Sequence, residues 1–143
     1  MKGFNNKYIL TEDFLSYSAD RMKMYYAPHN EIINLNAKIF IVGITSGWTQ
    51  LSIAYETAHK VLLANLNSEE IKTNFKKSRF AGSMRKNLIE MLDELELNKK
   101  IHLKSCKELF NSHDELLHTT SVIPYPVFIN DKNYTGSNPK NIR

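Results

Sequence analysis

Cysteine is almost missing from this chain: Cys106 stands alone among 143 residues. One thiol excludes an internal disulfide and any metal site built wholly from cysteines. Long apolar runs are missing as well. None approaches the ~20 residues that span a membrane as a helix, and the opening Met1-Lys2-Gly3-Phe4-Asn5-Asn6 lacks the apolar core of a secretory signal. A cytoplasmic protein is the expectation that follows. The histidines, His29, His59, His102, His113 and His118, show neither HExxH nor HxH spacing, so no metal or other cofactor is expected. There is no G-K-[ST], which argues against nucleoside triphosphate hydrolysis. No G-x-S-x-G elbow is present, which leaves Ser46 a poor candidate for a nucleophile.

What is present is the composition of a globular protein. A length of 143 residues with 42% hydrophobic side chains suits one domain with a sizeable core. The net charge of +4 permits a polyanionic partner without demanding one.

The stretch with most information is Lys38-Ile39-Phe40-Ile41-Val42-Gly43-Ile44-Thr45-Ser46-Gly47-Trp48-Thr49-Gln50. Ile39 to Val42 and Ile44 form a β-branched-rich apolar run that reads as a strand buried on both faces, as in a parallel sheet. The run ends at Gly43 to Gly47, and Leu51, Ala54, Tyr55, Ala58, Val61 and Leu62 then repeat with helical spacing. Strand, glycine turn and helix make half of a βαβ unit, and ligands bind beyond the carboxyl end of such a strand. The helix-start N–H groups can also hold an anion or a carbonyl there. The alternative is that Gly43 and Gly47 serve only a tight turn and close helix packing.

Residues 1–37 are polar and Asn-rich and read as an N-terminal flap or arm, with 38–143 as the α/β domain proper. Thr11-Glu12-Asp13 is a candidate cap for a brief helix. Met22, Met24, Tyr25, Tyr26 and Pro28 suggest packing on a sheet edge, with Tyr25, Tyr26 or His29 at the mouth of a site as the sharper reading. Asn67-Ser68-Glu69-Glu70 matches a capping box and opens a second helix. From Ile71 to Leu88 the chain carries Lys72, Lys76, Lys77, Arg79, Arg85 and Lys86 with no acidic residue, and Phe75 and Phe80 lie among them. A solvated face explains most such runs, but aromatics between basic residues also serve single strands and flipped bases. A third helix follows Phe80-Ala81-Gly82-Ser83, with Met84, Leu88, Met91, Leu92 and Leu95 as its apolar stripe and Glu90, Asp93, Glu94 and Glu96 as a solvated face. Ile101-His102-Leu103 reads as a short strand. Ser105-Cys106-Lys107-Glu108 is another capping-box match, beside which Cys106 is expected to be a buried or idle thiol. His118 to Ile123 reads as the second sheet strand, parallel to 38–45 because a long helical crossover separates them. Pro126 to Ile129 and Asn130 to Asn133 read as an extended piece and a turn, and Asn138-Pro139 as a helix start.

Three of these segments together resemble the uracil-DNA glycosylase superfamily. Gly43-Ile44-Thr45-Ser46-Gly47 is similar to its first motif, where G-I-N-P-G, G-M-N-P-G and G-E-A-P-G occur. Arg79-Phe80-Ala81-Gly82-Ser83-Met84 is similar to the segment that supplies an aromatic ring against the extruded base. His118-Thr119-Thr120-Ser121-Val122 resembles the strand whose asparagine reads the base edge. The resemblance covers about residues 20–143 and implies a three-layer α/β/α fold with a small parallel sheet, here lacking the family's last strands. It implies hydrolysis of the glycosidic bond of a base flipped from DNA, or, where chemistry is lost, a module that binds a base or nucleotide. It assigns the catalytic positions to Ile44 and Thr45. It assigns base binding to Gly43, Ser46, Gly47, Phe80 and Ser121, and contact with DNA falls to Lys76, Lys77, Arg79 and Arg85. The departures are specific. Thr45 stands where the family places the water-activating Asn or Asp, and Ile44 where one branch places Glu. Ser121 stands where the base-reading Asn belongs, and the late H-P-S segment is absent. An incomplete sheet is expected to leave an edge and an apolar face that invite self-association or a covering partner.

Overall fold

The structure, a computed structural model, describes residues 6–64, 66–76 and 79–134. It is a mixed α/β fold built on two separate sheets. The chain opens with a short helix α1 (Asn6–Ile9), a 3-10 turn Glu12–Phe14, and a hairpin of β1 (Leu15–Ala19) and β2 (Met22–Tyr25). Thr11 sits at the N-cap of that turn, but its side chain makes no capping bond. After a 3-10 turn at Pro28–Asn30 come β3 (Ile39–Thr45), α2 (Trp48–Ala64), α3 (Ser68–Lys76), α4 (Ser83–Glu94) and α5 (Leu97–Lys100). Two further 3-10 turns, Cys106–Phe110 and Asp114–Leu116, lead to β4 (Leu117–Ile123), β5 (Val127–Ile129) and β6 (Lys132–Asn133).

The strands β3 and β4 pair in parallel, with Ile39 opposite Leu117, Gly43 opposite Ser121 and Thr45 opposite Ile123. This is the expected parallel pair. The other sheet is antiparallel, in the order β1-β2-β5-β6, and it was not foreseen. Met22 pairs with Ile129 and Met24 with Val127, so the N-terminal stretch is hydrogen-bonded into a sheet with residues from the far end of the described chain. Asn130 and Asp131 close the β5–β6 hairpin with φ of 50° and 59°, the paired left-handed conformation of a type I′ turn.

Each sheet has its own core. Leu51 and Tyr55 of α2 pack with Tyr25 and Phe128 of the antiparallel sheet, with Ala27 just beyond β2, and with Ile9; the Tyr25 and Phe128 rings meet edge-on at 5.5 Å. Cys106, Leu109 and Leu117 form the second core, against which Ile39 and Ile41 of β3 and Leu92 of α4 are packed. Burial, and secondarily the Asp93 carboxylate, push the Cys106 thiol up to about 11, so it is the idle thiol expected.

Several expectations need correction. β3 is not buried on both faces: Phe40, Val42 and Ile44 are 63%, 58% and 54% exposed, as is Val122 of β4 at 75%. The inner face of this parallel pair carries the second core, and among the described residues no helix covers its outer face, so the three-layer arrangement is not formed here. Residues 101–103 are a turn, with His102 at φ 58°, because the backbone there folds back onto α5 through Ile101 N–H to Leu97 and Leu103 N–H to Asn98. The α4 stripe turns partly outward: Leu92 reaches the core, whereas Met84, Met91 and Leu95 are exposed. Asp93 is no plain solvated residue. Its two carboxylate oxygens accept the Ser105 hydroxyl and the Cys106 N–H, each at 2.6 Å, and these bonds hold its carboxyl below the usual range. They anchor the turn in which Ser105 Oγ accepts the Lys107 N–H and Glu108 accepts the Ser105 N–H, the predicted capping box. At α3 the box is reciprocal as well, between Asn67 and Glu70 at 3.0 Å in both directions. The helix start read at Asn138-Pro139 lies outside the described residues.

Burial sets the expected cost of truncation. Leu51→Ala, at a fully buried position, is expected to lower stability by about 2–5 kcal/mol. Phe40→Ala, on the bare strand face, is expected to lower it by no more than about 0.5 kcal/mol. Urea unfolding of the two variants checks the contrast.

Candidate functional site

A cavity of about 200 Å³ opens at the carboxyl end of β3. Its walls come from several places in the chain. The end of β3 and the turn after it supply Gly43, Ile44, Thr45 and Ser46; β4 supplies Thr119, Thr120 and Ser121; the turn at Pro28–Asn30 supplies His29 and Asn30; and Gln50, Arg79, Phe80 and Met84 close the remainder. The volume lies below the ~300 Å³ at which drug-sized pockets begin, which suits a single planar ring.

Phe80 reaches this wall from an uncommon backbone. Its φ is 48°, a left-handed conformation that costs a non-glycine residue on the order of 1–2 kcal/mol. Gly43 lies across from it, and a Cβ on Gly43 would stand 3.5 Å from Ser121 Oγ and 3.8 Å from Phe80 Cζ. Glycine therefore leaves room for about one methyl group beside the ring tip and the Ser121 hydroxyl.

The polar side of the cavity is built around Ser46. Asn30 Nδ2 donates to Ser46 Oγ at 3.1 Å and also to the carbonyl of Pro124, and the carbonyl fixes which end of the amide is nitrogen. His29 Nε2 lies 3.1 Å from the same Oγ. Burial, reinforced by the charge of Arg79, lowers the His29 pKa to about 4, so the ring is neutral at pH 7. Its Nδ1 has no partner among the described residues. The tautomer with the proton on Nε2 buries no orphaned N–H, the rarer and costlier omission. In that tautomer Ser46 Oγ accepts from both Asn30 and His29, and its own proton is left to donate into the cavity. Such a serine is a hydrogen-bond donor and not an activated nucleophile. Thr45 Oγ1 donates to the Tyr125 carbonyl at 3.2 Å, so its proton is committed inside the protein.

Of the residues singled out by sequence, the fold brings Gly43, Ile44, Thr45, Ser46, Phe80 and Ser121 around this one cavity. Gly47 stands beside it, where its N–H is held by Gln50 Oε1 at 2.9 Å, and the next N–H, of Trp48, is held by Asn133 Oδ1 at 2.9 Å. Those two helix-start donors are therefore already occupied. Among the basic residues expected at a DNA surface, Arg79 is only 6% exposed; it donates to the carbonyls of His29 and Ile32 at 3.2 and 2.5 Å. Lys76 pairs with Asp114 at 2.9 Å. Arg85 packs its guanidinium over the Phe110 ring at 5.3 Å. Lys77 lies outside the described residues. Tyr25 is in the core and the Tyr26 ring lies tilted beside that of Tyr125 at 5.5 Å, which leaves His29 as the member of that trio at the cavity. His118 is buried next to Phe40 and accepts weakly from the Asn34 N–H at 3.4 Å.

Sequence reasoning missed Asn30, Gln50, Met84, Thr119 and Thr120 as lining residues. A signal existed for Gln50 alone: it follows Gly47 by three, the spacing at which a Gln caps the N-terminal residue of a helix. Among the described residues no group of three or more His, Cys, Asp or Glu is placed to hold a metal ion, and no helix is long and apolar enough to cross a membrane.

No family model matches the chain, and no solved structure matches it. The chain is 46% identical over 132 residues to a Bacillus subtilis (strain 168) protein whose name is "uncharacterized protein YoxB". The match takes in 92% of this chain and 52% of YoxB. The chain thus spans about half the length of the curated relative it matches.

The neutral His29 makes stability depend on pH in a defined direction. Its pKa falls from the ordinary 6.5 to about 4 on folding, so between those values the unfolded chain binds more protons than the native one. The contribution is complete above pH 6.5 and is lost as the pH falls toward 4, by about 3 kcal/mol in total. Urea midpoints across this window are expected to fall more steeply for the natural chain than for His29→Gln, which has no titrating ring.

Proposed function

We propose that this chain binds a nucleobase, flipped from DNA, in the cavity at the carboxyl end of β3, as a divergent relative of the uracil-DNA glycosylases. The observation that carries the reading is the pairing of Phe80 with Gly43. An aromatic ring is held at a strained backbone position in the cavity wall with its Cζ close to a glycine, and the Ser121 hydroxyl lies beside the same glycine. That is what stacking on a planar ring and reading its rim require. The position at the carboxyl end of a parallel strand agrees with it, as does the resemblance of the three segments.

The chemistry favours binding over hydrolysis. No Asp or Glu is among the residues that line the cavity, Thr45 has committed its proton to Tyr125, and a hydroxyl is no general base at neutral pH. Partner choice follows the same logic. Three of the four basic residues suggested for DNA contact are engaged within the fold, so the base, more than the phosphate backbone, carries the affinity.

Two outcomes are expected. Phe80→Ala weakens binding of a uracil-containing single-stranded oligonucleotide by about 1–3 kcal/mol, or roughly 5- to 150-fold, and Gly43→Ala weakens it by filling the gap at ordinary contact distance. Fluorescence anisotropy reads both, with circular dichroism to confirm the fold. Unchanged affinity in the two variants would mean that the cavity is ordinary packing. In a glycosylase assay on uracil-containing single- and double-stranded DNA, the natural chain is expected to release base feebly or not at all, and Thr45→Asp to release more. Robust excision by the natural chain would place the catalytic group elsewhere.

A further inference from the structure

We propose that two copies of this chain pair through β3, whose free edge joins antiparallel to the same strand of a second copy with Val42 opposite Val42. The two-stranded parallel sheet of each copy then becomes half of a four-stranded one. This pairing is independent of what the cavity holds.

β3 is seven residues long, and among the described residues β4 is the one strand hydrogen-bonded to it. A strand paired on one side only presents a row of N–H and C=O groups to whatever comes alongside. Such edges are ordinarily guarded by proline, by lysine, by a bulge or by shortness. The other sheet shows these guards: β1 is irregular between Leu15 and Tyr17, and β6 is two residues long. Ile39-Phe40-Ile41-Val42-Gly43-Ile44-Thr45 has neither proline nor charge, and it runs beside β4 in one register. β4 itself has a polar centre, His118 to Ser121. The apolar, unguarded edge is therefore that of β3.

The order of residues in the strand fits a second copy of itself. An antiparallel pairing of β3 with β3 engages all seven residues in one register only, the one that sets Val42 opposite Val42. Phe40 then lies opposite Ile44 of the second copy, and Ile44 opposite its Phe40. These three positions alternate along the strand, so they share a face, and it is the exposed one. Valine meets valine at the axis, and an aromatic ring meets a β-branched side chain on either side, which are the cross-strand pairs that stabilise sheets. No like charges are brought together, because the strand carries none. The contact uses the same patch on both copies, so one two-fold axis closes it and association stops at the dimer.

Cysteine cross-linking and sedimentation velocity on the full chain test this. Directly opposite Cα atoms of an antiparallel pair stand about 4.5 or 5.5 Å apart, within the roughly 4.4–6.8 Å that a disulfide spans. Cys106 is fully buried and stays out of the reaction. Val42→Cys is expected to form a disulfide-linked dimer on mild oxidation. Phe40→Cys alone is expected not to, although Phe40 is the more exposed of the two, because its thiols would be about 13 Å apart along the strands. Mixed with Ile44→Cys it is expected to cross-link. The natural chain is expected to sediment as a dimer at tens of micromolar. Val42→Lys, which sets two ammonium groups at the axis, is expected to raise the dissociation constant at least about tenfold. Cross-linking of Phe40→Cys alone as readily as Val42→Cys overturns the proposed register and indicates unspecific contact between bare faces. A natural chain that stays monomeric at those concentrations overturns the pairing and leaves the edge to a strand from another polypeptide. Should Val42→Lys fail to fold, the pattern of cysteine cross-links decides alone.

Discussion

The guanidinium of Arg79 is the constraint on which the cavity depends. It is buried, and it donates to the carbonyls of His29 and Ile32. A buried cation is tolerated only where such partners surround it. Meeting that demand draws the 28–32 segment against the turn that follows α3. Because Phe80 is the next residue, the same anchoring fixes where its ring emerges, and Arg85 braces the turn from behind by donating to the Arg79 carbonyl at 2.5 Å. The charge also acts through space, since it is the second reason, after burial, that His29 stays neutral. One side chain thus sets the position of two walls and the protonation of a third group.

What was legible in the sequence was local. The β-branched run from Ile39 to Ile44 announces a strand whatever lies beside it, and the break at Gly43 to Gly47 announces a turn into a helix. The parallel pairing with residues 117–123 followed from topology. Capping boxes at Asn67 and Ser105 were readable because their partners sit three residues apart. The antiparallel sheet was not readable. β1 and β2 are short and carry no β-branched residue, and the strand that extends their hairpin is a three-residue piece about a hundred positions away, paired to β2. The outward face of β3 was misread for a related reason. An apolar run states what a strand could bury, and only the surrounding layers decide whether it does.

The site divides along the same line. Gly43, Thr45, Ser46, Phe80 and Ser121 lie in recognisable segments, and the fold gathers them. His29 and Asn30, which set the hydrogen-bond character around Ser46, have no pattern of their own because their partners lie 16 or more positions away in the sequence, and Gln50 carries only the three-residue spacing of a helix cap. Arg79 was misjudged as a surface charge because composition cannot distinguish a solvated arginine from one that satisfies carbonyls in the interior.

The pairing of β3 with β4 also has a kinetic side. The two strands are joined through more than seventy residues of intervening chain, and contacts so distant in sequence are slow to form because loop closure must precede them. The cavity needs both strands, so it exists only where this pairing has formed. A compound that binds only there stabilises the folded chain by mass action. Because Phe40, Val42 and Ile44 ride on the same strand, whatever holds the cavity together also keeps that bare apolar face in place.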